Sequence, residues 1–474
     1  MNITSRIHGT RRWRHSEQGV VTLTVIWAIA IAAVVVGATQ VLSFRQATLG
    51  RESLARTQAR WAARAGVETM IAILEWHTAN PDPADSMAMS RDLESNAAGE
   101  VETGSWDIRH FIDGREWAGP MDENAKLNIN AASKSYLVNI PSMTQDVADS
   151  IMDWRDVDHE VQGIGAERDY YRNRSLGYEP RNADFRSIAE LELVAGGWPQ
   201  NVRGEDWNLN GRLDPSEDDG KRSLPDDRPD GKLDAGWSGL LTAVTRPNPF
   251  AMSGQERLDL RKASEDELIE RTGVDKQQAA ALLTFSKGTN ASMAQILSTP
   301  LSQLGSNRGR QTPAGGGSTG STGRSSVGRV GGSTQTSSSA VKSLDLKQLR
   351  EVMNECTIKD ARGSGNVNTG KLNLNTTSRS MLIDVLQLET RFADAILTRR
   401  AAKPEGLTSL ADLVDLPGVS QAQLTTLALV ADVTSTVYTI SCRGRAKGTG
   451  AEVEMVVVVD RSALPAKIME YREP

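Results

Sequence analysis

Cysteine is nearly absent from this chain, with Cys356 and Cys442 the only two in 474 residues. One disulfide could form in an oxidising compartment, but a disulfide framework is excluded. Histidine is scarce as well. Its five residues stand at 8, 15, 77, 110 and 159, none beside a cysteine, so zinc sites of the usual kinds are not expected. Positive charge is not in surplus. The net charge of -6 leaves no broad basic face to neutralise phosphates. No glycine-rich phosphate loop stands between a strand and a helix, and no serine sits in a nucleophile elbow. The chain is therefore not expected to be an enzyme. After residue 42 no apolar run is long enough to span a membrane; Val456–Val459 is far too short.

What is present has the apolar and charged content of a globular protein, 39% and 24%. The length exceeds what one compact core holds, so two to four modules are expected. Four arginines, at 6, 11, 12 and 14, precede a stretch without charge between Glu17 and Arg45. Within it, Val20–Leu42 suffices for a helix to cross the hydrocarbon core, with the basic side cytoplasmic. A cleavable secretory signal would lose its helical pattern after a shorter run. Here the pattern continues without proline to Pro81, and Val67, Met70, Ile71 and Leu74 recur on one helical face. A single helix over 20–76 would run about 85 Å at 1.5 Å per residue.

The segment EQGVVTLTVIWAIAIAAVVV resembles the cleavage and methylation region of type IV pilin-like proteins, and ARAGVE resembles a stretch common in the K-type pseudopilins of type II secretion. This resemblance implies a leader at 1–19, cut by a prepilin peptidase after Gly19, and methylation of the Val20 amine. Loss of four arginines and one glutamate would take the net charge from -6 to about -9. Most pilins carry glutamate at the fifth mature position, where it pairs with a neighbour's amine. This chain has Thr24 there, and lack of that glutamate is characteristic of the K type. An unprocessed single-span anchor is the alternative.

Three segments repeat one pattern: KLNINAASKSYLVNIPSMTQDVADSIMDWR from Lys126, RLDLRKASEDELIERTGVDKQQAAALLTF from Arg257, and KLNLNTTSRSMLIDVLQLETRFADAILTRR from Lys371. Each predicts a short extended piece, an N-cap serine (Ser133, Ser264, Ser378), a helix, a tight turn and a second helix. FRSIAELELVAGG from Phe185 and LTSLADLVDLPGVS from Leu407 add a further shared piece, with a weaker counterpart in NASMAQILSTPLSQL. These are helix-hairpin-helix-like units. A membrane-tethered nucleic-acid-binding protein is one reading of them. The hairpin Leu416-Pro417-Gly418-Val419 lacks a second glycine, and the turn at Pro141-Ser142-Met143 has no adjacent cation, which weighs against phosphate binding. The other reading is again the K-type pseudopilin, which Lys126–Asp156, GAERDYY (165–171) and FRSIAELELV resemble closely, as does 371–460.

GSWDIRHFIDGREW from Gly104 alternates like strands, and VYTISCRGRAKGTGAEVEMVVVVDR predicts a hairpin turning at Lys447-Gly448-Thr449-Gly450. Residues 306–339 form a low-complexity linker. The predicted fold class is α+β: a long N-terminal transmembrane and amphipathic helix packed on a small antiparallel pilin-type sheet, with a large α-helical insertion. Its expected divisions are 20–76 helix, 77–125 first part of the sheet, 126–200 first unit, 201–250 acidic loops, 251–303 second unit, 304–340 linker, 341–432 third unit, and 433–474 hairpin and tail.

The segment 206–217 has the register of a calcium loop. Asp206, Asn208, Asn210, the Arg212 carbonyl, Asp214 and Glu217 offer oxygens at positions one, three, five, seven, nine and twelve, and Gly211 permits the sharp turn. A solvated acidic turn is the competing reading. A second stretch offers Asp226, Asp230 and Asp234, but Arg228 and Trp237 occupy positions where oxygens are wanted. Calcium there would be structural. The resemblance further implies a minor pseudopilin that caps a secretion pseudopilus in the inner membrane, with its C-terminal domain periplasmic. Its partners would be other minor pseudopilins and the inner-membrane secretion platform. A minor pilin of a type IV pilus or DNA-uptake machine is the nearest alternative.

Overall fold

The computed structural model describes residues 18–223, 225–304, 341–359 and 369–473. Most of the leader and nearly all of the linker lie outside them. One helix, Gln18–Ala79, opens the described chain and spans 62 residues, about 93 Å. It is long and apolar enough to cross a membrane. Its two halves differ in environment. Up to Leu54 its large apolar side chains stand open, as Ile26, Val34 and Phe44 do. From Ala55 onward one face is covered: Ala55, Ala59, Ala62, Ala63, Val67, Met70 and Leu74 are buried. This is the periodic stripe seen in the sequence, extended by small residues toward the membrane.

The stripe lies on an antiparallel sheet. Ala98–Val101, Gly104–Ile112, Val437–Ala446, Glu452–Asp460 and Lys467–Arg472 follow one another across it. Arg115–Ala118 pairs with the second of these and Met121–Asp122 with the third. Small residues let helix and sheet approach closely. A Cβ on Gly444 would come 2.1 Å from the Ala59 carbonyl oxygen, so only glycine fits there. The core between them joins Val67, Met70 and Leu74 to Ile108, Ile440, Cys442, Val457 and Val459. Each such fully buried side chain contributes about 1.5–3 kcal/mol. Lys467–Arg472, expected as part of a tail, is a strand at the sheet's edge.

The helical insertion leaves and returns at one point. Met121–Asp122 pairs directly with Thr439 and Tyr438, so everything from Glu123 to Thr436 is spliced in between two neighbouring strands. Three consecutive buried polar residues fasten that joint. Asp122 Oδ2 accepts from Asn373 Nδ2 (3.1 Å), Thr376 Oγ1 (2.5 Å) and Ser435 Oγ. The Glu123 carboxylate accepts from Thr242 Oγ1 and Thr439 Oγ1, both at 2.6 Å. Asn124 Oδ1 accepts from the Thr436 amide at 3.0 Å.

Within the insertion each repeat closes on a two-residue parallel pairing: Leu127–Asn128 with Leu241–Thr242, Leu258–Asp259 with Cys356–Thr357, and Leu372–Asn373 with Ala431–Asp432. Twenty-eight residues after the opening leucine stand Arg155, Ser286 and Arg400. The Arg155 guanidinium donates to the carbonyls of Ile129 and Ala132. That of Arg400 donates to the matching carbonyls of Leu374 (2.9 Å) and Thr377 (2.7 Å). In the second unit Ser286 Oγ donates to the Leu260 carbonyl at 2.8 Å. Burial lowers the pKa of both arginines from the usual guanidinium value.

The first and third units share one core, to which Ala294 and Leu297 of the second are added, while the rest of the second unit packs in a core of its own. Val341–Thr357 was expected to open the third unit. Instead Val352 and Cys356 pack in the core of the second, and Cys356–Thr357 supplies its closing strand. Linear order misled here because the pairing partner of Leu258–Asp259 lies beyond the linker. Cys356 and Cys442 are both free and buried, in different cores, so the disulfide that the sequence allowed is not formed.

Candidate functional site

The acidic loop 206–217 lies where the first helical unit meets the sheet. Asp206 and Glu217 are buried, each 3% exposed. Asp206 Oδ1 accepts from the Asn210 amide and Oδ2 from the Gly211 amide, both at 2.9 Å. Glu217 Oε1 accepts from the Trp207 amide (2.9 Å) and Oε2 from the Asp214 amide (3.1 Å). Asn208 Oδ1 and Asn210 Oδ1 accept from the amides two residues on, at 3.0 and 2.7 Å. Gly211 has φ +70°, the left-handed turn that its position in the loop demands. Acids and amides at alternate positions are thereby turned to the inside of one loop.

Neither Asp206 nor Glu217 has an ion-pair partner among the described residues. Burial pushes Asp206 up to about 6 and Glu217 up to about 7, against the backbone amides that lower them. Two desolvated carboxylates without a cation, beside amide oxygens, are a donor set that fits a hard divalent ion. Asp214 differs. Its Oδ1 meets Arg443 Nη2 at 2.5 Å and its Oδ2 accepts from the side-chain Nδ2 groups of Asn208 and Asn210 at 2.9 and 3.1 Å. The Arg212 side chain points away, to Asp107 Oδ2 at 2.8 Å.

The second stretch is not brought together in this way. Asp226, Asp230 and Asp234 are exposed. Asp230 and Asp234 cap their own turns through Lys232 N and Gly236 N, and Asp226 lies 3.9 Å from Lys221 Nζ. Glu205, which the sequence reading passed over, holds that stretch by accepting from the amides of Arg228 and Asp234.

Anchors from the sheet reach the first loop on three sides. The Phe111 amide donates to the Gly211 carbonyl (2.8 Å), Asn210 Nδ2 to Glu454 Oε1 (3.0 Å), and Arg472 to the carbonyls of Asn208 and Leu209. Nothing in the local sequence pairs 206–217 with strands that lie from 100 to 264 residues away.

At the other end of the molecule Gly19, Val20 and Thr24 lie in the first turns of the long helix. Val20 is exposed, and Thr24 Oγ1 donates to the Val21 carbonyl at 2.8 Å, a contact internal to the helix. Of the expected capping serines, Ser264 accepts from Glu267 N and Ser378 from Met381 N, whereas the Ser133 hydroxyl pairs with Ser135. The shared pieces from Phe185 and Leu407 are clamped identically. Asn130 exchanges two hydrogen bonds with the Phe185 backbone, and Asn375 two with that of Leu407.

Comparison with known proteins bears on this architecture. Residues 125–203 match the family model for protein K of the type II secretion system. Among solved structures, the chain is similar to one in the GspK-GspI-GspJ complex of the enterotoxigenic Escherichia coli type 2 secretion system, at 12% identity and a TM-score of 0.42. That match covers 90% of this chain and 99% of the other. No curated protein sequence matches the chain. Residues 125–203, the part that matches type II secretion protein K, are set between two strands of a sheet that packs on one long apolar helix.

Proposed function

We propose that the chain is a non-enzymatic minor pseudopilin that sits at the tip of a type II secretion pseudopilus and assists protein export from there. The observation that carries this reading is the K-family domain at 125–203 inside a spliced insertion that leaves the helix-and-sheet frame intact. The open apolar half of the helix would be held in the inner membrane, with the N-terminus cytoplasmic and the folded part periplasmic. A prepilin peptidase would free Val20 after Gly19 for methylation. With Thr24 in place of an acid, the chain offers no carboxylate to the amine of a subunit above it. The bulk of residues 123–436 would then block further addition at that end.

Calcium bound by Asp206, Asn208, Asn210, the Arg212 carbonyl, Asp214 and Glu217 would neutralise the buried acids and stiffen the joint between insertion and sheet. Asp226, Asp230 and Asp234 would serve as an exposed acidic flank. Other minor pseudopilins and the secretion platform of the inner membrane are the expected partners.

Co-expression of the chain with the minor pseudopilins encoded beside it tests the proposal. The expected result is one complex that co-elutes in gel filtration and is lost when the helix up to Ala79 is removed. A chain that stays monomeric beside folded companions would argue against the tip role.

A further inference from the structure

The loop 206–217 carries three acids, and among the described residues only Asp214 is paired with a cation. That cation, Arg443, comes from the strand Val437–Ala446, 229 residues further along the chain. Both oxygens of Asp214 are taken. Oδ1 meets the Arg443 guanidinium, and Oδ2 accepts from Asn208 Nδ2 and Asn210 Nδ2. Three donors therefore surround the carboxylate that position nine of a calcium loop turns toward the ion. The two asparagines face it with nitrogen, while each Oδ1 accepts one backbone amide and keeps a second lone pair.

Arg443 has a second berth within reach. Its Nη2 stands 3.8 Å from Glu454 Oε2 and its Nε 3.9 Å from Glu452 Oε2, both on the neighbouring strand Glu452–Asp460. Glu454 is already oriented by the loop and the sheet together. Its Oε1 accepts from Asn210 Nδ2 and Ser441 Oγ, both at 3.0 Å. Arg445 gives the contrast on the same side of the strand. It is exposed and pairs with Glu452, its Nε 2.8 Å from Oε1.

We propose that Arg443 sets the calcium affinity of 206–217 by holding Asp214 in reserve, an inference that rests on calcium being the ion of that loop. As calcium enters, Asp214 passes from the guanidinium to the ion, and Arg443 closes on Glu454 and Glu452. Calcium must displace a paired cation, so the loop holds it more weakly than three unpaired acids would. Arg443 is half-buried, and its charge opposes a divalent ion through a medium that screens less than water.

Calcium binding to the full chain in detergent, stripped with chelator, is read by equilibrium dialysis. Arg443→Gln releases Asp214 and is expected to bind calcium at least about tenfold more tightly than the natural chain. Arg443→Lys keeps the charge without the fork and is expected to fall between the two. Arg445→Gln removes an equal charge from an exposed position and is expected to leave the affinity within about twofold. In a chain that also carries Asp214→Asn, the gain from Arg443→Gln is expected to vanish. Affinity unchanged or weakened in both Arg443→Gln and Arg443→Lys, beside a natural chain that binds calcium, overturns the inference alone. So does a gain that survives Asp214→Asn or is matched by Arg445→Gln. Natural and Arg443→Gln chains that both take up no calcium remove the calcium reading and this inference with it.

Discussion

The first and third helical units solve one folding problem in the same way, and the second solves it differently. In units one and three a half-buried arginine ties the second helix to the extended opening segment, and an asparagine clamps the piece beginning at Phe185 or Leu407. These two units merge into a single core. Unit two replaces the arginine by Ser286, keeps its own core, and borrows its closing strand from beyond the linker. A guanidinium reaches two carbonyls of the opening segment at once, whereas the Ser286 hydroxyl reaches one there, that of Leu260, and otherwise meets the Leu283 carbonyl of its own helix. The difference teaches that a repeated sequence pattern fixes the local fold of each unit but not which units share a core.

The sharpest way to break this comparison is to remove the arginines. Arg155→Met or Arg400→Met leaves two buried carbonyls without their donor, at about 1–3 kcal/mol each. A loss of about 3 kcal/mol is expected in urea denaturation followed by tryptophan fluorescence. An unchanged midpoint would mean that the arginines do not hold these units.

Next in size is the acid-bearing loop of the first unit. Asp206 and Glu217 have pKa values raised by burial to about 6 and about 7. Without metal, the folded chain therefore holds more protons than the unfolded chain. The stability that this contributes is complete below about pH 4 and is lost as pH rises through 6 to 7, about 2–3 kcal/mol per group. Calcium competes with those protons, so its affinity is expected to rise steeply between pH 5.5 and 7.5 and then flatten. Melting with calcium or with chelator should coincide near pH 5 and separate near pH 7.5. Curves that separate equally at both would contradict this assignment.

Ser286→Ala, the counterpart in the second unit, removes one hydrogen bond and is expected to cost about 1 kcal/mol. A loss as large as that of Arg155→Met would erase the contrast between the units. The smallest effect belongs to the outer face of the long helix. Trp61 is 59% exposed, and Trp61→Ala is expected to change stability by no more than about 0.5 kcal/mol.

Much of this architecture is legible in the sequence. Absence of charge from 18 to 44 gives the helix, and three copies of a leucine-asparagine or leucine-aspartate opening give the units. The stripe Val67, Met70, Leu74 identifies the packed half because helical spacing is local. What escapes is long-range. Asp122, Glu123 and Asn124 read as an ordinary polar turn, yet they fasten both ends of the insertion. Lys467–Arg472 is too short to stand out, and becomes a strand because Val456–Asp460 pairs with it. Asp156, Asp158 and Glu167 follow no loop register, since the turn must fold back before Glu167 meets the others. The register of 206–217, by contrast, is visible in twelve consecutive residues, while its docking onto the sheet is not.

The central claim, that this is a pseudopilin, turns on how its N-terminus is made. The chain should be expressed with and without an active prepilin peptidase, and the first residue read by mass spectrometry. The account predicts a mature chain that begins at Val20 with a methylated amine only when the peptidase is present. A chain that keeps its leader beside an active peptidase would contradict it and favour a plain membrane-anchored binding protein.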